Sequence, residues 1–479
     1  MRNTSTYTFE NRDYWSSTEI RDPGCVFMPD SADKVAAAVS LFVKNECKFA
    51  IKGGGHSAIP QAANIDDGVL MAMKNMNKIN IDFGNNRVRV EPGLTMGSIY
   101  AALDPHNLTA MVGRFENVGL GLIVGAGVSY RVNQEGFAID NVLNYELVLA
   151  NGTIVHANAN QRSDLFRALK GGNNNFGVVV AVTLKTIKYD GKIFAGIVYH
   201  PESSLSAFSD LVYDYHTVQA VKDPLTHCLP QYGYNGTTNT TVAITTVVYN
   251  ANVDRLPPIM RGWETTPYTS STVRKRTYHE LSFESNEGYP DRDVQEQRVF
   301  TVYADKKLYK DVWLAYRKWL EGYRHIPSLY GLHVVMPITP RAVQEGIKKG
   351  HNSLGLEDNG GKVLGILYFG LTISNIEDTP LVLPAHTAFV ESMKRLAASR
   401  GLLHRYMMLT YSGWDQNVIE GYGPDNVARL LAVQAKYDPT HVFQRLVPGG
   451  QKLPGICAVN GWGSGTVVGR DGKLLGVEA

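Results

Sequence analysis

The sequence predicts an α+β protein of two domains, and three observations carry that reading. The chain has 479 residues, more than one ordinary core accommodates. Up to about residue 190, short β-branched runs alternate with helical stretches and repeated glycine turns. From 193 to 405, longer strand-like runs alternate with long helical patterns, as in an antiparallel sheet covered by helices on one face.

Residues 31–45 fit a helix: Ser31 or Asp33 caps it, and Val35, Val39, Leu41 and Phe42 supply an apolar stripe. Strands are expected on both sides of it, the second over 47–51. Further strands are expected at 68–71, 87–91 and 145–150, the last turning at Asn151-Gly152 into 153–155. Residues 164–170 read as a short helix and 177–186 as a strand. In the second region, 240–249 and 364–371 read as strands, and 307–323 and 385–398 as helices. A last helix opens near Pro424 and stops before Asp438-Pro439. Residues 454–479 are glycine-rich without apolar periodicity and read as an extended tail. There is no internal repeat.

Composition excludes several function classes. The net charge is +2, with 44% hydrophobic and 19% charged residues, so nothing favours nucleic acid or a membrane surface. No apolar run approaches ~20 residues, and the polar residues 1–14 do not read as a signal peptide. No metal site is expected. Two features lean toward the secretory pathway. Asn3, Asn107, Asn151, Asn235 and Asn239 each open an Asn-x-Ser/Thr sequon. The cysteines are Cys25, Cys47, Cys228 and Cys457; Cys25 and Cys47 flank the first helix and either join as a disulfide or stay as free thiols.

The richest chemistry lies in the glycine clusters. Ile51-Lys52-Gly53-Gly54-Gly55-His56-Ser57 follows a strand, and consecutive N–H groups in such a turn form a nest for a pyrophosphate. A second cluster, Gly119, Gly121, Gly125 and Gly127, encloses Leu122, Ile123 and Val124 and suggests close backbone approach to a flat ligand. Then come the runs 136–142 (Gly-Phe-Ala-Ile-Asp-Asn-Val), 164–172 (Asp-Leu-Phe-Arg-Ala-Leu-Lys-Gly-Gly) and 175–179 (Asn-Phe-Gly-Val-Val).

In that order, with Tyr422-Gly423, Lys436-Tyr437-Asp438-Pro439 and Val442-Phe443, the motifs make nearly the whole chain resemble the fungal berberine-bridge-enzyme-like FAD-linked oxidoreductases of the vanillyl-alcohol-oxidase superfamily. The resemblance implies a PCMH-type FAD-binding domain of two subdomains over 1–192 and a substrate domain over 193–405. A segment over 406–457 returns to the first domain, and 458–479 forms the tail. It implies that the turn from Lys52 through Gly53, Gly54, Gly55 and His56 to Ser57 holds the cofactor. Gly119, Gly121, Gly125, Gly127, Val142 and Val178 are further flavin contacts. His56 matches the histidine that bonds covalently to the flavin 8α-methyl carbon. Many relatives add a cysteine link just before the middle cluster. Here that position is Phe115, in Gly113-Arg114-Phe115, so a single link is expected.

Two departures from the family bear on function. One glycine of the Val-Gly-x-Gly-Gly stretch is absent after Gly121, which shortens a loop beside the flavin. The family's Tyr-x-Asn-Tyr reads Met408-Leu409-Thr410-Tyr411 here, so the first tyrosine, a base in some relatives, is a methionine. Tyr406 fills the gap if the alignment slips by two, a shift that keeps the same face of a strand. Tyr411, Tyr406, His333 and Tyr130 are the candidate bases. The expected activity is oxidation of a small organic molecule, with a secondary metabolite favoured, by hydride transfer to flavin N5 with dioxygen as acceptor. The alternatives are an FAD-containing cyclase acting on a polyene and a carbohydrate or alcohol oxidase. The oligomeric state is left open.

Overall fold

The computed structural model describes residues 2, 4–287 and 291–455 and two short strands at Thr466–Val468 and Leu474–Gly476. These two strands pair antiparallel; the rest of the glycine-rich tail, with Cys457, lies outside the described residues, as does Asn3.

Helix Ala32–Lys44 forms as its sequence dictates. The Ser31 side chain accepts from Lys34 N, Asp33 lies in the first turn and Lys44 in the last. Its buried face is Val35, Ala38, Val39 and Phe42; Leu41, expected in the stripe, is 59% exposed. The helix connects β1 (Cys25–Phe27) to β2 (Phe49–Lys52), and both pair in parallel with β3 (Val69–Ala72) lying between them. That order overturns a Cys25–Cys47 disulfide, and both thiols are free. Two strand spacings separate the edges by about 10 Å, beyond the ~7 Å Cα reach of a disulfide.

A second sheet holds β4 (Ile79–Asp82), β5 (Arg87–Val90), β6 (Leu108–Ala110), β7 (Val142–Val148), β8 (Ile154–Asn158) and β9 (Val178–Lys188), with β9 central. The third sheet is antiparallel and nine-stranded. Its strands are β10 (Ile193–His200), β11 (Thr226–Asn235), β12 (Thr240–Tyr249), β13 (Ser270–Ser271), β14 (Arg274–Arg276), β15 (Val294–Tyr303), β16 (Leu329–Ile338), β17 (Leu364–Ile373) and β18 (Leu403–His404). The order is β13-β10-β12-β11-β16-β17-β15-β18, with β14 also on β10.

This sheet separates two cores. Leu229, Val299, Val334, Met336, Ile366 and Tyr368 pack with the first domain. Cys228, Tyr232, Phe300, Val335, Leu367 and Phe369 pack instead with helices Leu205–Asp214, Lys306–Glu321 and Thr379–Ser399. The alternation along each strand fixes which residues face the first domain. After β18 the chain returns to that domain: Val442, Phe443, Leu446 and Val447 join the core of helix Ala32–Lys44 and β2, and Phe49 N donates to Leu446 O at 2.8 Å.

Candidate functional site

β2 delivers the chain into the glycine turn. Gly55 takes φ +65°, which glycine adopts without strain. A Cβ on Gly54 would stand 2.6 Å from Gly119 N, and one on Gly119 2.3 Å from Gly54 N. The two glycine clusters therefore meet backbone to backbone. Beside this contact the exposed Gly121 has nothing within 4 Å of its Cβ position, and Gly54 is exposed as well. The result is a bare shelf where an anionic group can approach peptide N–H groups. Lys52 does not reach toward it. Its ammonium is buried against Glu10, donating to the carboxylate at 3.1 Å and to the Glu10 carbonyl at 2.8 Å. Ser57 Oγ accepts from Ile59 N.

His56 closes the turn. Its ring lies flat on Trp15, with centroids 4.6 Å apart and planes 6° apart. Desolvation lowers its pKa to about 4, so at neutral pH the imidazole is uncharged and keeps a lone pair. Trp15 is held at both ends of its peptide: its N donates to Gly55 O at 3.0 Å, and its O accepts from Arg292 N at 2.7 Å. Ser17 N donates to Asp293 O and Ser16 Oγ accepts from Gln295 N, so this short segment straps the His56 turn to the start of β15.

The sheet face above the first domain carries His227 on β11, Met336 on β16, Tyr368 on β17 and Gln297 on β15, four adjacent strands. Arg114, from the loop before Gly119, reaches up to it. Its Nη2 donates to Tyr411 Oη at 2.8 Å and lies 3.3 Å from Met336 Sδ; its Nη1 lies 3.4 Å from His227 Nε2. Tyr411 in turn stands edge-on to Tyr368, centroids 5.4 Å apart, and Gln297 Nε2 lies 3.4 Å from Tyr368 Oη. Burial first, and the Arg114 charge second, hold the His227 pKa well below its ordinary value, so that ring is neutral. Because Tyr411 Oη accepts from a cation, its own hydrogen is free to be given elsewhere.

The candidate bases separate on this geometry. Tyr411 lies in the cluster and is only partly buried. Tyr130 lies beneath it, donating to the Arg114 carbonyl at 2.5 Å; burial raises its pKa, so it anchors the loop and is ill suited to take a proton. His333 is on the wrong face. Register places it between Tyr232 and Phe369, whose rings it stacks on at 6.0 and 4.4 Å, in the helix-side core. Tyr406 is fully buried and stacked on Tyr422, its hydroxyl without a protein partner among the described residues. The stretch from Tyr406 to Tyr411 is no strand: β18 ends at His404 and Leu409–Tyr411 is a 3-10 turn, so the two-residue slip keeps no common face.

The remaining glycines pack protein. A Cβ on Gly125 would meet Thr410 at 2.9 Å, and one on Gly127, at φ +75°, would meet Ala138 at 2.7 Å. Val142 and Val178 are buried core residues. Sequence reasoning passed over Arg114, Trp15, His227, Gln297 and Tyr368. The signal for Arg114 stood one residue from Phe115, in the Gly113-Arg114-Phe115 stretch.

The bare glycine shelf, the neutral imidazole beside it and the polar sheet face opposite fit a dinucleotide whose ring lies between the domains. Residues 23–158 match the model of an FAD binding domain. The chain is 30% identical over 457 residues to the FAD-dependent monooxygenase tpcD of Cochliobolus heterostrophus, covering 92% of this chain and 87% of that one. Among solved structures it resembles 6-hydroxy-D-nicotine oxidase from Arthrobacter nicotinovorans, with a TM-score of 0.75 at 18% identity and coverage of 94% and 96%. It also resembles the glucooligosaccharide oxidase of Acremonium strictum, described with a 6-S-cysteinyl, 8α-N1-histidyl FAD, with a TM-score of 0.71 at 18% identity and coverage of 94% and 96%.

Proposed function

The chain belongs to the berberine-bridge-enzyme-like FAD-linked oxidoreductases, and we propose that it oxidises a small organic molecule held beside the Arg114–Tyr411 pair under the nine-stranded sheet. Bound FAD would supply a hydride acceptor at N5 and pass the electrons to dioxygen. His56, neutral and held flat by Trp15, is the group to tether it. The shelf at Gly54, Gly119 and Gly121 would receive the pyrophosphate. Phe115 leaves no thiol at the position expected for a second link. Tyr411 is the proton-handling group, because it is the one candidate that both joins the cluster and is not sealed in the core. The observation that carries this reading is the 2.8 Å bond from Arg114 to Tyr411 beneath the sheet.

The test is anaerobic: a donor that is oxidised bleaches the flavin absorbance, and one equivalent of peroxide appears on admitting air. A broad panel of phenols, polyketide-like enols and sugars that never bleaches the holoenzyme would count against oxidation and in favour of a cyclase. A second reading follows from the monooxygenase name of the relative: one oxygen atom of dioxygen enters the product and the other leaves as water, the two electrons and two protons for that water being drawn from the substrate itself. Labelled dioxygen separates the two, since an oxidase places no label in its product. Four sequon asparagines, Asn107, Asn151, Asn235 and Asn239, are exposed, which supports passage through the secretory pathway; a mass shift on glycosidase treatment of the native protein tests it.

A further inference from the structure

Arg114 is a buried cation without a counter-charge among the described residues. Only 4% of the residue is exposed, and its three side-chain partners are a phenol, a thioether and a neutral imidazole. Among the described residues no carboxylate pairs with it; the nearest acid in the chain, Glu116, turns instead to His279 at 4.0 Å. Removing a guanidinium from water without an anion beside it is costly. The same cluster holds two unused donors. Tyr411 Oη accepts from Arg114, so its hydrogen is uncommitted. His227 Nε2 faces Arg114 Nη1, which places the hydrogen on Nδ1, and that atom is buried without a partner among the described residues.

We propose that Arg114, with Tyr411 beside it, is an oxyanion-recognition site that selects substrates carrying an ionised enol, phenol or carboxylate. The inference rests on the oxidoreductase reading and narrows its substrate class. A cation donating short hydrogen bonds recognises such oxygens, and the guanidinium does so in a fixed planar geometry. The site also accounts for Met408: a substrate that arrives already ionised needs no second tyrosine to take its hydroxyl proton.

The experiment uses the FAD-loaded holoenzyme and reads binding as a perturbation of flavin absorbance. Benzoate is compared with benzamide, and 4-nitrophenolate with 4-nitroanisole. Each pair keeps the ring and changes the charge. In the wild type at least one anion binds about 10-fold to 100-fold tighter than its neutral partner, the range of a charge-assisted hydrogen bond. Arg114→Met abolishes that preference and Arg114→Lys retains part of it. Both variants are first checked for bound flavin and an unchanged melting temperature; if Arg114→Met does not fold, the Lys variant and the paired ligands on the wild type still decide. Equal binding of anion and neutral partner overturns the site. So does an Arg114→Met protein that keeps the preference while its flavin potential falls, which would assign the charge to the reduced cofactor. Anaerobic bleaching is scored separately. An anion preference with no bleaching by any donor leaves this site standing and sinks the oxidation reading; bleaching with no anion preference sinks the site alone.

Discussion

The imidazole of His56 lies flat against the indole of Trp15, 4.6 Å between centroids and 6° between planes. One face of the histidine is thereby closed, and its tilt is set by a residue that bonds both to Gly55 and to Arg292. Attack on a carbon needs a fixed lone pair. Trp15→Ala is expected to lower the covalently bound flavin by roughly half or more, Trp15→Phe to keep most of it, and His56→Ala to abolish it. Flavin fluorescence of the denatured chain on a gel reads the outcome directly. A fully flavinylated Trp15→Ala protein would remove the positioning role.

Two glycines of the second cluster make opposite predictions at neighbouring positions. Gly119→Ala drives a methyl into the Gly54 backbone at 2.3 Å, where neither partner is the end of a flexible side chain. It should cost about 2 kcal/mol or more, read as an earlier urea midpoint. Gly121→Ala meets nothing within 4 Å. It should leave the melting temperature of the FAD-free protein unchanged and weaken FAD binding, because the methyl occupies the shelf. FAD binding as tight as wild type would move the pyrophosphate elsewhere.

What was legible in the sequence was local. The turn ending in His56 could be read because a strand, three glycines and a histidine are contiguous. The face of His333 could not, because strand parity says that alternate residues share a side but not which side meets the other domain. Tyr232 and Phe369, which flank it across the sheet, lie about a hundred residues before it and some thirty-six after it. The Cys25–Cys47 pairing failed for the same reason: β3, which separates them, comes later in the chain. Arg114 carried no pattern of its own; only the fold shows that its charge lies buried among neutral groups.

His333 and His216 should make the protein acid-labile in a defined window. Burial lowers their pKa values to about 4 and about 3, from about 6.5 in the unfolded chain. Below 6.5 the unfolded chain binds protons that the folded chain refuses, so stability falls as pH drops from 6.5 through 4 and is fully present above 6.5. For His333 the shift corresponds to about 3 kcal/mol. Glu19, pushed up to about 8 by burial, acts oppositely between 4.5 and 8, so the comparison is made variant by variant. His333→Phe, stacked between Tyr232 and Phe369, should flatten the fall in urea midpoint between pH 6.5 and 4.5. Parallel profiles for variant and wild type would contradict a neutral, buried His333.

Tyr411 and Tyr406 offer the sharpest contrast for the chemistry. Tyr411 accepts from Arg114 at 2.8 Å and is partly exposed beneath the sheet, where a substrate can touch it. Tyr406 is 0% exposed, and burial holds its pKa well above the ordinary phenol value. Tyr411→Phe removes the hydroxyl bonded to the guanidinium. It should lower kcat by about 10²-fold to 10⁴-fold, the range for losing a positioned proton-transfer group, with flavin content unchanged. Tyr406→Phe deletes a hydroxyl that no group among the described residues satisfies, so stability should change by about 1 kcal/mol or less. Its kcat should stay within about threefold of wild type. Rapid-mixing measurement of the flavin reduction rate tests both at once, because it isolates hydride transfer from oxygen reaction and product release. If Tyr406→Phe slows reduction more than Tyr411→Phe, the proton-handling role passes to Tyr406. Its unpaired hydroxyl would then be the one that faces substrate in the bound state.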